Sequence, residues 1–227
     1  MRPLFFLFAL FGIASALPAA EPIFSFDFTT QPAGRALPWL LSRGFEDKLQ
    51  FADLNPKFQE GALWFSSARP VSGLGAYNFP PGRALKGVKR VRLTWGAGSF
   101  PEGADWERGR NRTPLAIMIS LGNDRLPSGL PFGINPAPYF IAPFLAAREP
   151  EGKVYTGRYW KAGGRYVAVR CKPGATIITE VDLDRTFRTQ FGTSPTPPVT
   201  AIAIQMNTKD TKGPASAFMK KIEFLAE

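Results

Sequence analysis

The chain has 227 residues, a formal charge of +10, one cysteine and no histidine. The missing histidine excludes Ser-His-Asp and Cys-His nucleophile systems and His-based zinc sites, and a lone cysteine leaves no internal disulfide. The positive balance either serves solubility or meets anionic partners, such as an acidic glycan, another envelope component or anionic lipid; no motif favours specific nucleic-acid binding.

Residues 1–20 read as an export signal. Arg2 precedes the apolar run Leu4–Ile13, which is too short to span a bilayer, and Ala14-Ser15-Ala16 or Ala19-Ala20 offers a cut. The expectation is an exported, periplasmic or secreted protein in which residues 21–227 form a single β-sandwich domain. No later apolar run is long enough to make it integral to a membrane.

Phe24, Phe26 and Phe28 alternate at period two and share one face of a first strand. Thr29–Arg43, with Pro32, Gly34 and Pro38, reads as a connection that tucks Trp39 and Leu40 against the sandwich. Lys48–Asp53 and Ala62–Ser66 are short candidate strands separated by the turn signal Asn55-Pro56. In Val88–Trp95 the apolar face is Val91, Leu93 and Trp95, and the opposite face carries Arg90, Arg92 and Thr94. Trp95 continues the apolar face and is expected in the core.

Gly96–Thr113 is a long polar loop in which Glu102, Asp105 and Glu107 flank Trp106 and precede Arg108, Arg110 and Arg112. Carboxylates beside an aromatic are the equipment of sugar hydrolysis, which needs two carboxyls at a set separation; a solvated loop has the same composition. Leu115–Leu121 reads as a central strand buried on both faces, and Gly122–Pro138 as a second irregular loop, on the rim or at a binding site. Tyr139–Leu145 contains Pro143 and is expected at an edge. Lys153–Trp160 gathers Tyr155, Arg158, Tyr159 and Trp160, rings that either stack on sugars or cover a core edge.

Arg165–Cys171 and Thr176–Leu183 read as a hairpin about Lys172-Pro173-Gly174, with Cys171 as a small buried hydrophobe. Glu180 and Asp182 project side by side, a solvated face or an acid–base pair. Asp182 or Asp184 caps a helix beginning at Arg185, whose stripe is Leu183, Phe187 and Phe191 and whose stop is Gly192. Thr200–Met206 and a last strand with Phe218, Ile222 and Phe224 facing inward close the fold.

The order of EVDL, DRTFRTQFG and AIAIQMNT, then a polar loop and a final strand, resembles an uncharacterised family of exported bacterial proteins, a domain of unknown function with a carbohydrate-binding-like jelly-roll sandwich. The resemblance covers Ala62 to Phe224 and implies an all-β, jelly-roll-like antiparallel sandwich with a short helix near the C-terminus. The chain departs from that family where acidic loops are usual: it has Arg110-Asn111-Arg112-Thr113 and Asn207-Thr208-Lys209-Asp210-Thr211-Lys212. Those changes remove charge that a hard cation needs, so no metal and no cofactor is expected.

These readings lead to an exported, non-catalytic binding or envelope-associated domain that recognises an anionic glycan. Tyr139, Tyr159 and Trp160 would stack on rings; Arg110, Arg112, Arg158 and Lys209, with Asn207 and Asp210 beside them, would meet polar and negative groups. A composite site of this kind requires residues 108–113, 122–138 and 207–213 to gather at one end. The alternatives are a glycan-active hydrolase or lyase using carboxylates such as Glu180 with Asp182 or Asp210, and a structural envelope subunit without a small ligand.

Overall fold

Alternating apolar residues make strands, and strands with one apolar face must bury it against a partner sheet. The computed structural model describes residues 21–130 and 135–226. The expected export signal and residues 131–134 of the second long loop lie outside them.

The elements are β1 (Phe24–Asp27), β2 (Gly34–Arg35), α1 (Leu37–Ser42), β3 (Phe45–Lys48), β4 (Lys57–Gln59), β5 (Ala62–Ser67) and β6 (Ser72–Asn78). There follow β7 (Arg90–Ser99), β8 (Thr113–Leu126), β9 (Ala137–Ala146), β10 (Val154–Tyr155), β11 (Gly164–Arg170) and β12 (Ile177–Asp182). The chain closes with α2 (Leu183–Phe191), β13 (Val199–Asn207) and β14 (Ala215–Leu225). Two seven-stranded sheets form. The first runs β12-β7-β14-β5-β4-β2 with β1 also paired to β14, and the second runs β10-β11-β9-β8-β13-β6-β3. The sandwich is the all-β architecture expected, antiparallel apart from the parallel pair β9–β11.

The core lies between the sheets. Val91, Leu93 and Trp95 of β7 face Leu115, Ile117 and Ile119 of β8 across it, all fully buried, and the Trp95 indole N–H donates to Thr179 Oγ1 at 3.2 Å. Asp182 is the cap of α2: its carboxylate accepts from the Arg185 N–H at 2.7 Å, and Gly192 ends the helix at φ 68°. Cys171 is buried as expected, and burial pushes its thiol pKa up.

Five local expectations are corrected. The segment 48–53 is not a strand, because Leu49 and Gln50 take positive φ and Phe51–Leu54 forms a 3-10 turn, which the Asp47 carboxylate holds by accepting from Phe51 N–H. Residues 37–42 form α1 where only a connection was read, with Pro38 in its first turn where a missing N–H costs nothing. β9 is interior, between β8 and β11, so Pro143 costs one ladder donor without marking an edge. Arg165–Cys171 and Thr176–Leu183 are not a hairpin: β11 joins β9 in one sheet and β12 joins β7 in the other, so the Pro-Gly turn carries the chain between sheets. Phe218 faces outward onto Trp64 (centroids 4.8 Å apart), because a bulge between Met219 and Lys221 shifts the side-chain parity of β14.

Close backbone approach fixes one glycine. A Cβ on Gly75 of β6 would lie 2.4 Å from Phe51 Cζ, inside the ring that the 3-10 turn presses onto the strand. Gly75→Ala is expected to cost about 1–3 kcal/mol by overpacking. Asp182→Ala is expected to cost about 1 kcal/mol through loss of the cap. Chemical denaturation read by circular dichroism checks both, with unchanged midpoints as the contrary result.

Candidate active site

The outer face of the second sheet is not left to solvent. Outward-facing Ala116, Phe144, Ala146 and Ala168 are small or flat, and Trp106 from the loop after β7 lies on them as a second small core. Its indole stacks on Phe144 (centroids 4.1 Å, 23°) and touches Tyr166 and Tyr155. Three polar contacts pin this loop. Trp106 Nε1 donates to Arg112 O at 3.0 Å, Trp106 N donates to Glu149 Oε1 at 3.1 Å, and Asp105 accepts from the Arg108 N–H at 3.1 Å.

Glu107, next in sequence to that anchor, is held at the surface. Lys153 Nζ reaches both of its carboxylate oxygens at 2.8 Å, and the Tyr155 hydroxyl donates to Oε1. The Lys153 hydrogen bond first, and that of Tyr155 second, hold the Glu107 carboxyl below the usual glutamate range, so it is ionised at neutral pH. Tyr155 is shifted the other way: desolvation first, then the bond to Glu107, push its phenol well above the ordinary tyrosine value. The charges of Glu149 and Asp105 act on Tyr155 in the same sense. The cluster therefore sets an ionised carboxylate against a proton-holding hydroxyl on an aromatic platform, with a lysine bridging to it. That is equipment for acid–base work.

The structure divides the expected binding residues between two ends. Loops 100–112 and 207–213 do converge: Glu102 and Lys212 pair through their backbones, and Arg112 bonds to Asp210 Oδ2 (2.8 Å), Asn111 O (2.9 Å) and Lys209 O. Asn207 Oδ1 accepts from Lys209 N–H at 3.3 Å, and Arg110 pairs by its backbone with Asp105. Residues 122–130 and 135–138 lie toward the other end of β8, about 30 Å or more along it at ~3.3 Å per residue. Arg158, Tyr159 and Trp160 are there too, since Trp160 N donates to Ser128 O at 2.8 Å and its indole N–H to Asn135 O at 3.0 Å. Tyr139 serves neither group: it packs edge-on against Phe187 and Phe191 of α2. A composite basic site of these nine residues does not form, because β8 separates its halves.

The carboxylates named for catalysis are each engaged elsewhere. Glu180 takes Arg92 Nε at 2.7 Å and Arg90 Nη1 at 3.2 Å on the outer face of the first sheet, Asp182 is spent on the cap, and Asp210 on Arg112. What the sequence does not reveal is the alliance of Glu107 with Lys153 and Tyr155, or of Trp106 with Glu149. Each joins residues more than forty positions apart across the sheet face, and Glu149 carries no signal beyond a polar turn.

No family model matches the chain, and no curated protein matches it in sequence. It is similar in structure to the xyloglucanase domain of NopAA, a type three effector from Sinorhizobium fredii solved in complex with cellobiose (13% identity, TM-score 0.42, 90% of this chain and 100% of that one). It is also similar to an ENZbleach xylanase variant (8%, TM-score 0.36, 90% of each chain). A third likeness is to the glycoside hydrolase domain of Endo-D from Streptococcus pneumoniae R6 (7%, TM-score 0.34), where 81% of this chain spans a fifth of that one. Scores this low carry no activity across. The expectation of a non-catalytic glycan-recognising domain is corrected on the side chains that were to carry it: Tyr139 and Trp160 are used in packing, and Arg112 in an internal ion pair.

Tyr166 offers a test of the aromatic face. Part of its surface is open, but its ring lies against Trp106 and Phe140, and burial pushes its phenol up to about 12. A pKa raised on folding contributes stability that is complete below the unfolded value of about 10 and lost as pH rises through the folded one. Stability is expected to fall between about pH 10 and 12, and Tyr166→Phe to flatten that fall; urea midpoints across the range check it.

Proposed function

We propose that the protein is a carbohydrate-active enzyme, a hydrolase or lyase that works at the Glu107–Tyr155–Lys153 cluster. One observation carries the reading: an ionised surface carboxylate and a protonated phenol are hydrogen-bonded to each other over the Trp106–Phe144 stack. Glu107, kept ionised by Lys153 and Tyr155, acts as the nucleophile or base. Tyr155 holds the proton that a leaving sugar oxygen needs, and Lys153 fixes the carboxylate and balances its charge. Asp105 and Glu149 hold the loop that carries the cluster.

The test is a panel of neutral and acidic polysaccharides assayed both for new reducing ends and for the absorbance of unsaturated products. Glu107→Gln, at an exposed position, is expected to keep the wild-type melting temperature and to lower turnover by about 100-fold or more. A purified protein that cleaves nothing in the panel, or an E107Q variant as fast as wild type, ends this reading.

A further inference from the structure

At the far end of the same sheet face, the loop 156–163 is built around a residue in an uncommon conformation. Trp160 takes φ 52°, the left-handed region that costs a side-chain-bearing residue energy and persists only where surrounding contacts enforce it. Here the contacts are many. The Trp160 N–H and indole N–H donate to Ser128 O and Asn135 O, its carbonyl accepts from the N–H groups of Gly163 (3.0 Å) and Gly164 (2.7 Å), and its ring meets Phe140 edge-on. The anchored tryptophan fixes its neighbours Tyr159 and Lys161 in the wall of an open cavity of about 490 Å³, lined also by Arg158, Ser128 and Gly129.

The chemistry of that wall is one-sided. Neither Arg158 nor Lys161 has a carboxylate partner among the described residues. Arg158 lies instead over the Tyr159 ring, 5.5 Å from its centroid. Ser128 is 3% exposed; its Oγ accepts from Leu130 N–H at 3.2 Å, and its own hydroxyl hydrogen has no acceptor among the described residues. Two cations without a carboxylate partner, a serine and an aromatic ring thus line one open space, with no acid among its described lining residues.

We infer that this cavity is a binding site for an oxyanion-bearing, sugar-sized ring: the carboxylate, sulfate or phosphate meets Arg158 and Lys161, with Ser128 as a further donor, and the ring lies against Tyr159. Guanidinium and ammonium groups favour such anions through charge-assisted hydrogen bonds, and aromatic contact adds selectivity for a ring over a bare ion. The site shares no residue with the Glu107 cluster. It is read by binding alone, so its failure and the failure of the proposed activity are separate results.

The experiment is a titration of the full chain, followed by 1H–15N NMR, with glucuronate, glucose, inorganic phosphate and inorganic sulfate at constant ionic strength. Glucuronate is expected to give saturable shifts confined to residues 127–130 and 158–162, with glucose at the same concentration giving none. The double variant Arg158→Gln with Lys161→Gln, both exposed, is expected to weaken glucuronate by at least tenfold while leaving the melting temperature unchanged. Tyr159→Ala is expected to weaken glucuronate and leave phosphate unaffected. Phosphate binding as tightly as glucuronate overturns the inference of a ring-bearing ligand. Glucose matching glucuronate, or the double variant binding glucuronate as wild type does, overturns the inference.

Discussion

Strand β14 is the seam on which the sandwich depends. Its eleven residues hydrogen-bond to three strands, with β7 along one edge and β5 and β1 in succession along the other. Ala217, Met219, Ile222 and Phe224 bury their side chains between the sheets, and the bulge after Met219 lets the same strand turn Phe218 outward onto Trp64. An unpaired ladder group in a dry interior costs on the order of 1–3 kcal/mol. A strand with neighbours on both sides leaves few such groups, and it ties the first strand of the sandwich to the last.

The second sheet uses its two faces differently. Its inner residues fill the main core, while its outer residues along β9 and β11 are covered by Trp106 and, farther along, by Trp160. Each tryptophan arrives on a loop and is held by hydrogen bonds from its backbone and its indole nitrogen. Between the two anchors runs a row of rings, Phe140 and Tyr166, each in edge or tilted contact with the next. Polar groups of both candidate sites lie beside those anchors: Glu107 follows Trp106, and Tyr159 and Lys161 flank Trp160. Rigid placement of a few polar groups by an apolar footing is what a binding or catalytic surface needs.

Much of this fold is legible from residue order. Alternation marks β7 and β13 and places Trp95 inside, and Asp182, the Leu183–Phe187–Phe191 stripe and Gly192 mark α2 from cap to stop. Misreadings occur where a local signal has more than one tertiary solution. Pro173-Gly174 makes a turn whether its flanking strands pair with each other or enter different sheets, and only the partners available, β9 and β7, decide that. Pro143 removes a donor wherever it sits, and an interior strand with other bonds to spare absorbs the loss. The basic residues in loops 110–113 and 207–212 read as a ligand site, but one arginine there neutralises Asp210 and bonds to two carbonyls.

From residue types and spacing alone, then, come strands with one buried face, the C-terminal helix, the burial of Cys171 and the exclusion of histidine chemistry. These depend on local periodicity, on short-range capping and on composition, which survive without knowledge of the fold. Tertiary structure decided which sheet each strand joins, which end each loop reaches and which charges are spent on one another. Glu107 meeting Lys153 and Tyr155, and Arg158 and Lys161 left without an acid, are facts of distance between segments far apart in the chain. Pairing energies fall off over a few ångströms, and no pattern along the chain records that separation.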